Sequence, residues 1–426
     1  MDIIQELLQD VPLPKMVKIK QHFPTSCVMQ VEKTLQTQLG KPEIADKIKS
    51  GMKIAVAVGS RGLADLPTLV RTTISAIKLR GAVPFIVPAM GSHGGATAEG
   101  QIEVLANLGV TEESAGCPIH SSMEVDEIGR LANGLPVYID KYAYAADGIV
   151  VINRIKPHTA FRGPSESGLV KMLTIGLGKQ KGAASCHAYS FKYMAENIVA
   201  MAQVILAKAP ILFGIGTVEN AYDQIAKIVA VPAEQFIAVD QQLQLEAKAG
   251  MARILFNQID VLLIDQIGKN ISGDGMDPNI TGRYPTPYAT GGPSVNKIAV
   301  LDLTEQTHGN ANGMGTADFT TRRLVDKTDF KATYANGLTS TVMVPTHTPT
   351  VLDNDYDVVR AAVKTSNALD LRKVRIVHIL DTLHLGEIEI SEAMLEEAQI
   401  NPNIMILDKP TDMVFDSKGN FRRTLL

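Results

Sequence analysis

Apolar residues recur along this chain in two ways, as short β-branched runs and as longer stretches with helical spacing, and the two alternate. Lys53–Val58 (KIAVAV) predicts a strand that runs into Gly59-Ser-Arg-Gly62, after which Leu66, Leu69, Val70, Ile74 and Ile77 share one face of a helix over about 66–80. Gly81 ends that helix, 84–88 predicts a second strand, and the turn Met90-Gly-Ser-His-Gly-Gly95 leads into a helix over about 97–108. Gly148-Ile-Val-Val-Ile-Asn153, bounded by Asp147 and Arg154, suits a strand buried on both faces. A helical stretch over 192–208 follows the next loop, then apolar runs at 211–215 and 225–231, then a helix over 232–255. The rhythm restarts with strand patterns at 260–264, 297–303 and 374–380 around a polar, glycine-rich loop that begins at Gly268.

This alternation predicts an α/β protein of two domains, each with a mainly parallel sheet flanked by helices, and an active site in the cleft between them. A chain of 426 residues exceeds the roughly 250–300 that one core usually sustains. The expected boundary falls near Ala252, giving an N-terminal domain over 1–252, with 396–426 a candidate to rejoin it, and a C-terminal domain over 253–395. Right-handed crossovers should bring the loops of Arg61, His93 and His158 to one sheet edge, where the carboxyl ends of parallel strands usually carry the chemistry. The loop over 268–293 is longer than the roughly 12–15 residues common inside compact domains, which marks it as functional or mobile.

Composition narrows the function classes. A net charge of −4, with 45% hydrophobic and 20% charged residues, lacks the basic excess of a nucleic-acid binder. The N-terminal residues carry acid where a signal peptide carries base, and no apolar run approaches 18 residues, so a cytoplasmic protein off the membrane is expected. Cys27, Cys117 and Cys186 are far apart and odd in number, which indicates neither a disulfide framework nor a structural zinc site.

The stretch Asn153–His187 concentrates the candidate chemistry, with two histidines and six Lys or Arg residues among glycines. Pro157 should hold Lys156 extended and put His158 on a stiff tether at the end of a strand. Ser165 or Ser167 is the expected cap of a helix through Leu169, Lys171, Met172 and Ile175, and its N-terminus beside Arg162 and Lys171 suits an anion such as phosphate or carboxylate. His93 sits in GSHGG, where small neighbours leave the ring accessible. Each of these residues also has a bland reading: a turn histidine capping the next helix, a solvated helical lysine, a cysteine that merely fills core.

GSHGG, KPHTAFRG and GLVKMLTIGLG followed by His187, with Lys171 sixteen residues before that histidine, resemble the lactate racemase family that uses a nickel-pincer nucleotide. The likeness spans roughly Gly59 to Leu255. It implies that the N-terminal domain holds pyridinium-3,5-bisthiocarboxylic acid mononucleotide with nickel, attached through Lys171 and with His187 as a metal ligand, and that His93 and His158 are the catalytic acid/base pair. It implies Arg61 as the cation for the substrate carboxylate, with Lys269 of the second domain a further substrate-binding candidate and that domain closing over the substrate. The reaction it implies is inversion of an α-hydroxy acid: a base takes the hydroxyl proton as C2 gives hydride to the cofactor, and the planar 2-oxo acid receives hydride on its other face. Two histidines with ordinary pKa values near 6.5 suit the two enantiomers.

GSRGLADLP keeps an arginine without the acidic and threonine-containing signature of lactate-specific members, and the chain has no Trp, while GKNISGDGMDPN and Arg283 are polar. A substrate larger or more oxygenated than lactate is therefore expected, such as a dicarboxylate or sugar acid. The expected partners are that small molecule and the proteins that make the cofactor, so recombinant protein made without them should be apo; a homo-oligomer is left open. Two other classes remain: a zinc-dependent hydrolase using His93, His158 and His187, and a non-catalytic binder of a hydroxy or sugar acid.

Overall fold

The computed structural model describes residues 3–60 and 62–422, and they divide into two compact units. One runs from Pro24 to Met251, and the other joins the segment ending at Phe23 to everything from Ala252 onward. The domain boundaries expected from sequence differ in two places. The N-terminal segment supplies the strand Met16–Gln21 to the second unit's sheet, between Glu387–Ser391 and Ile404–Ile406. Residues 396–422 pack with that same unit instead of rejoining the first. Pairing between segments more than 360 residues apart leaves no local mark in the sequence, which explains the difference.

In the Pro24–Met251 unit a five-stranded sheet has the order Val83–Pro88, Lys53–Val58, Gly148–Arg154, Ile211–Glu219, Ile225–Pro232. The first four strands are parallel and the last returns antiparallel. Lys53–Val58 is buried at every residue after Lys53, and Gly148–Arg154 over its first five residues, because helices cover both faces. That covering explains the unbroken apolar runs. The Leu66–Leu79 helix lays Leu66, Leu69, Val70, Ile74 and Ile77 into the core, in line with the predicted face. Parallel pairing brings the loops after 53–58, 83–88 and 148–154 out at the same sheet edge.

The second unit holds an eight-stranded sheet. Thr350–Leu352, Phe319–Thr321, Ser294–Leu303, Gln258–Ile267 and Ile376–Ile379 run parallel, and three antiparallel strands extend the far side. His378 lies buried in this sheet, with Nε2 2.8 Å from Asp265 and Nδ1 2.9 Å from Glu389. Burial alone pushes its pKa down, but the two carboxylates overcome that and raise it to about 10. A folded-state pKa above the unfolded value contributes stability that is full below about pH 6.5 and is lost as pH rises toward 10. Urea titrations from pH 6 to 10 should show this decline in the parent protein and a flatter profile in His378→Gln. Equal slopes would contradict a charged His378.

Candidate active site

The loop leaving the Gly148–Arg154 strand folds around one carboxylate. Glu166 is fully buried; it accepts from the backbone N–H of His158 (2.9 Å) and of Gly163 (3.1 Å). It also pairs with Lys248 (2.6 Å) and Arg162 (3.3 Å), and Arg162 donates to the His158 carbonyl (2.7 Å). His158 is thereby fixed through its own backbone on both sides. Its ring packs against Phe161 and Phe191, with centroids 4.5 and 5.9 Å away. The Ala160 N–H donates to Nδ1 (3.1 Å), so the neutral ring carries its proton on Nε2. Burial, and then the charges of Lys171, His187, Lys156 and Arg162, hold its pKa well below 6.5. The expectation of an ordinary imidazole is corrected accordingly.

The segment carrying Lys171 is capped differently from the expectation. Ser167 occupies the N-cap without a side-chain capping bond, and Asp240 of the Phe236–Gly250 helix accepts from the N–H of Leu169 (2.7 Å) and of Val170 (3.4 Å). A residue 71 positions away satisfies the orphan donors, which a local capping rule does not find. Burial raises the Asp240 carboxyl to a pKa of about 6, against the pull of Ser165 and the two amides. The expected helix is also shorter, an α-turn over Gly168–Lys171 that widens into a π-turn over Met172–Gly176. Such π-turns are frequent at functional sites. Gly168 has φ of 82°, and a Cβ there would lie 2.3 Å from Asp240 Oδ1. Gly168→Ala should therefore cost about 2 kcal/mol and displace Lys171; thermal unfolding checks the first effect, and a melting temperature at the parent value would contradict it.

His187 ends the Lys179–His187 helix. Its Nδ1 lies 2.6 Å from the Ala183 carbonyl, which can only accept, so Nδ1 carries the proton and Nε2 keeps the lone pair that a metal requires. Burial lowers its pKa, the Ala183 bond opposes that, and the Lys171 charge adds to the lowering. Phe191 meets the His187 ring edge-on at 5.3 Å as well as touching His158. Lys171, His158 and His187 thus form one cluster, each felt electrostatically by another. Cys186 is fully buried and its thiol is pushed up to about 12, which fits the core residue expected.

His93 is exposed in its glycine turn and hydrogen-bonds through Nδ1 to Ser60. Gly94 has φ of 65°, and a Cβ there would lie 2.5 Å from the Gly100 backbone, so the turn admits no side chain at that position. Gly91 N–H donates to the Gly176 carbonyl (3.2 Å), tying the His93 loop to the π-turn after Lys171. Arg61 lies outside the described residues. Lys269 belongs to the other unit, where its Nζ donates to the Gly273 carbonyl (2.6 Å). Arg283, in the same unit, holds Asp318 and the carbonyls of Thr316 and Asn296, which gives it a structural task.

Sequence reasoning passed over Glu166, Lys248, Asp240 and Phe191. Glu166 stood in plain view in GPSESG, but its buried state depends on contacts formed only in the fold. The donor set can be tested against the implied cofactor. One neutral histidine with Nε2 presented and one amine beside it fit a metal that arrives with its other ligands on a nucleotide. Among the described residues, no three His, Cys, Asp or Glu side chains converge so as to hold a metal by themselves.

Residues 6–198 match the model of the lactate racemase N-terminal domain. No curated protein matches the sequence. Among solved structures, the chain is similar in fold to the lactate racemase apoprotein of Thermoanaerobacterium thermosaccharolyticum. That likeness has a TM-score of 0.52 at 14% identity, over 86% of this chain and 98% of that one. No helix among the described residues is long and apolar enough to cross a membrane. The match takes in the segment that contains His93, His158, Lys171 and His187, so residues 6–198 of this chain are similar to the lactate racemase N-terminal domain.

Proposed function

We propose that this protein is a racemase or 2-epimerase of an α-hydroxy acid that works with a nickel-pincer nucleotide. The observation that carries this reading is His187, neutral and turned by Ala183 so that Nε2 can coordinate, beside Lys171 and His158. When bound, the cofactor supplies a reversible hydride acceptor, so that C2 of the substrate loses hydride instead of a weakly acidic proton. Lys171 would attach it and His187 would ligate its nickel.

The chain's own residues handle the proton and the orientation. His93 removes the hydroxyl proton of one enantiomer and returns it; His158 does so for the other. His158 can accept a proton on Nε2 only after its Ala160 bond opens, since both nitrogens cannot be loaded in a neutral ring. Phe161 and Phe191 pack on that ring and favour its neutral form as the resting one. Arg61 is the proposed holder of the carboxylate. The substrate we favour is larger or more oxygenated than lactate, because of the polar segment GKNISGDGMDPN. Turnover of lactate, malate and gluconate by loaded enzyme tests this, and a clear preference for lactate would sink it.

The depressed pKa of His158 gives a pH prediction. The acid limb of kcat/KM should lie below pH 6.5, because the base form persists there. A limb at or above 6.5 that moves in His158→Gln would contradict it. The zinc-hydrolase alternative lacks a converging ligand set among the described residues, and the non-catalytic binder gives no use to Lys171.

A further inference from the structure

Lys179 is fully buried, has φ of 52° and stands at the first position of the helix that ends in His187. Buried lysines are rare unless paired, and this one has three partners. Nζ donates to the Pro88 carbonyl and to Gln101 Oε1 (2.9 Å), and lies 3.4 Å from Asp140 Oδ2. Pro88 ends the strand from which the His93 loop departs. Gln101, also fully buried, turns its Nε2 toward that loop and donates to the carbonyls of Gly91 (2.9 Å) and His93 (3.3 Å).

We propose that Lys179 and Gln101 are positioning residues that lock the His93 loop onto the helix bearing His187. Gln101 is the bridge. Its amide oxygen is held by the lysine, which fixes the amide's direction and leaves its N–H groups aimed at the loop carbonyls. Lys179 also reaches the strand end at Pro88, so both ends of the turn from Pro88 to His93 refer to one ammonium group. Asp140 balances the charge and caps the Lys141–Tyr144 turn through Ala143 N–H. A loop of small residues with an exposed histidine would otherwise sample many positions. The catalytic meaning of this lock rests on the role proposed above for His93; the lock itself does not.

Gln101→Glu separates positioning from general stability. The carboxylate keeps an oxygen for Lys179 but cannot donate to Gly91 and His93, and it sets negative charge against their carbonyls. Amide hydrogen exchange, read by mass spectrometry on parent and variant, should speed up about tenfold over residues 91–97 while Lys179–His187 stays unchanged. In the loaded enzyme kcat should fall with little change in KM. Unchanged exchange over 91–97, or an equal rise throughout the unit, overturns the proposal. Lys179→Met is a second variant, expected to release the same segment, and tight exchange there in a folded sample overturns it too. Full turnover in His93→Ala alongside the predicted exchange would remove the catalytic reading and leave the lock standing.

Discussion

Under the proposed function, changing His158 to alanine should lower turnover by about 10²–10⁴-fold and leave cofactor binding intact, because a positioned proton carrier contributes on that scale. The loop around His158 is fixed by backbone bonds to Glu166 and from Arg162, neither of which uses the imidazole. The chain path should therefore survive the change. Lys171 and His187 remain, so nickel content and the adduct on Lys171 should match the parent. His158→Gln restores polarity but cannot exchange a proton near neutral pH, and should be as slow as the alanine variant. Racemisation measured by chiral chromatography, with metal content on the same sample, checks this. Loss of nickel together with activity would instead make His158 part of the cofactor site, and undiminished turnover would remove it from the chemistry.

Changing Glu166 to alanine should have the largest effect on stability. Its carboxylate satisfies two backbone donors and two cations while fully buried, so truncation strands several groups at once. Breaking such a pair costs about 3–5 kcal/mol when both partners are buried. Lys248 and Arg162 are partly exposed and can recover water, so about 2–3 kcal/mol is expected here. Glu166→Gln keeps the shape and one acceptor oxygen but turns an NH2 group toward donors, so it should recover only part of the loss. Urea unfolding measures the difference. A loss below 0.5 kcal/mol in Glu166→Ala would show that the loop is held by other means.

Much of the fold was legible because strands of a covered parallel sheet are continuous apolar runs and their crossover helices have period 3.6. Lys53–Val58, Val83–Pro88 and Gly148–Arg154 follow this, as does the helix Leu66–Leu79. The place of Met16–Gln21 was not legible, since its partners lie at 387–391 and 404–406. The sequence motifs located the histidines and Lys171, but not what holds them. Asp240 caps a helix 71 residues away, Glu166 is buried by folding, and Gln101 and Lys179 look like ordinary surface residues in the sequence. The depressed pKa of His158 arises from burial and four neighbouring charges that converge only in three dimensions.

Exposure of the purified protein to the complete nickel-pincer cofactor, with metal content, visible absorbance and intact mass read together, is the most direct measurement. The expected result is nickel uptake, a new absorbance band and a mass adduct, with the adduct lost in Lys171→Ala and nickel weakened in His187→Ala. A protein that takes up neither nickel nor adduct, or binds zinc equally well with and without Lys171, would contradict the cofactor site and with it the racemase function.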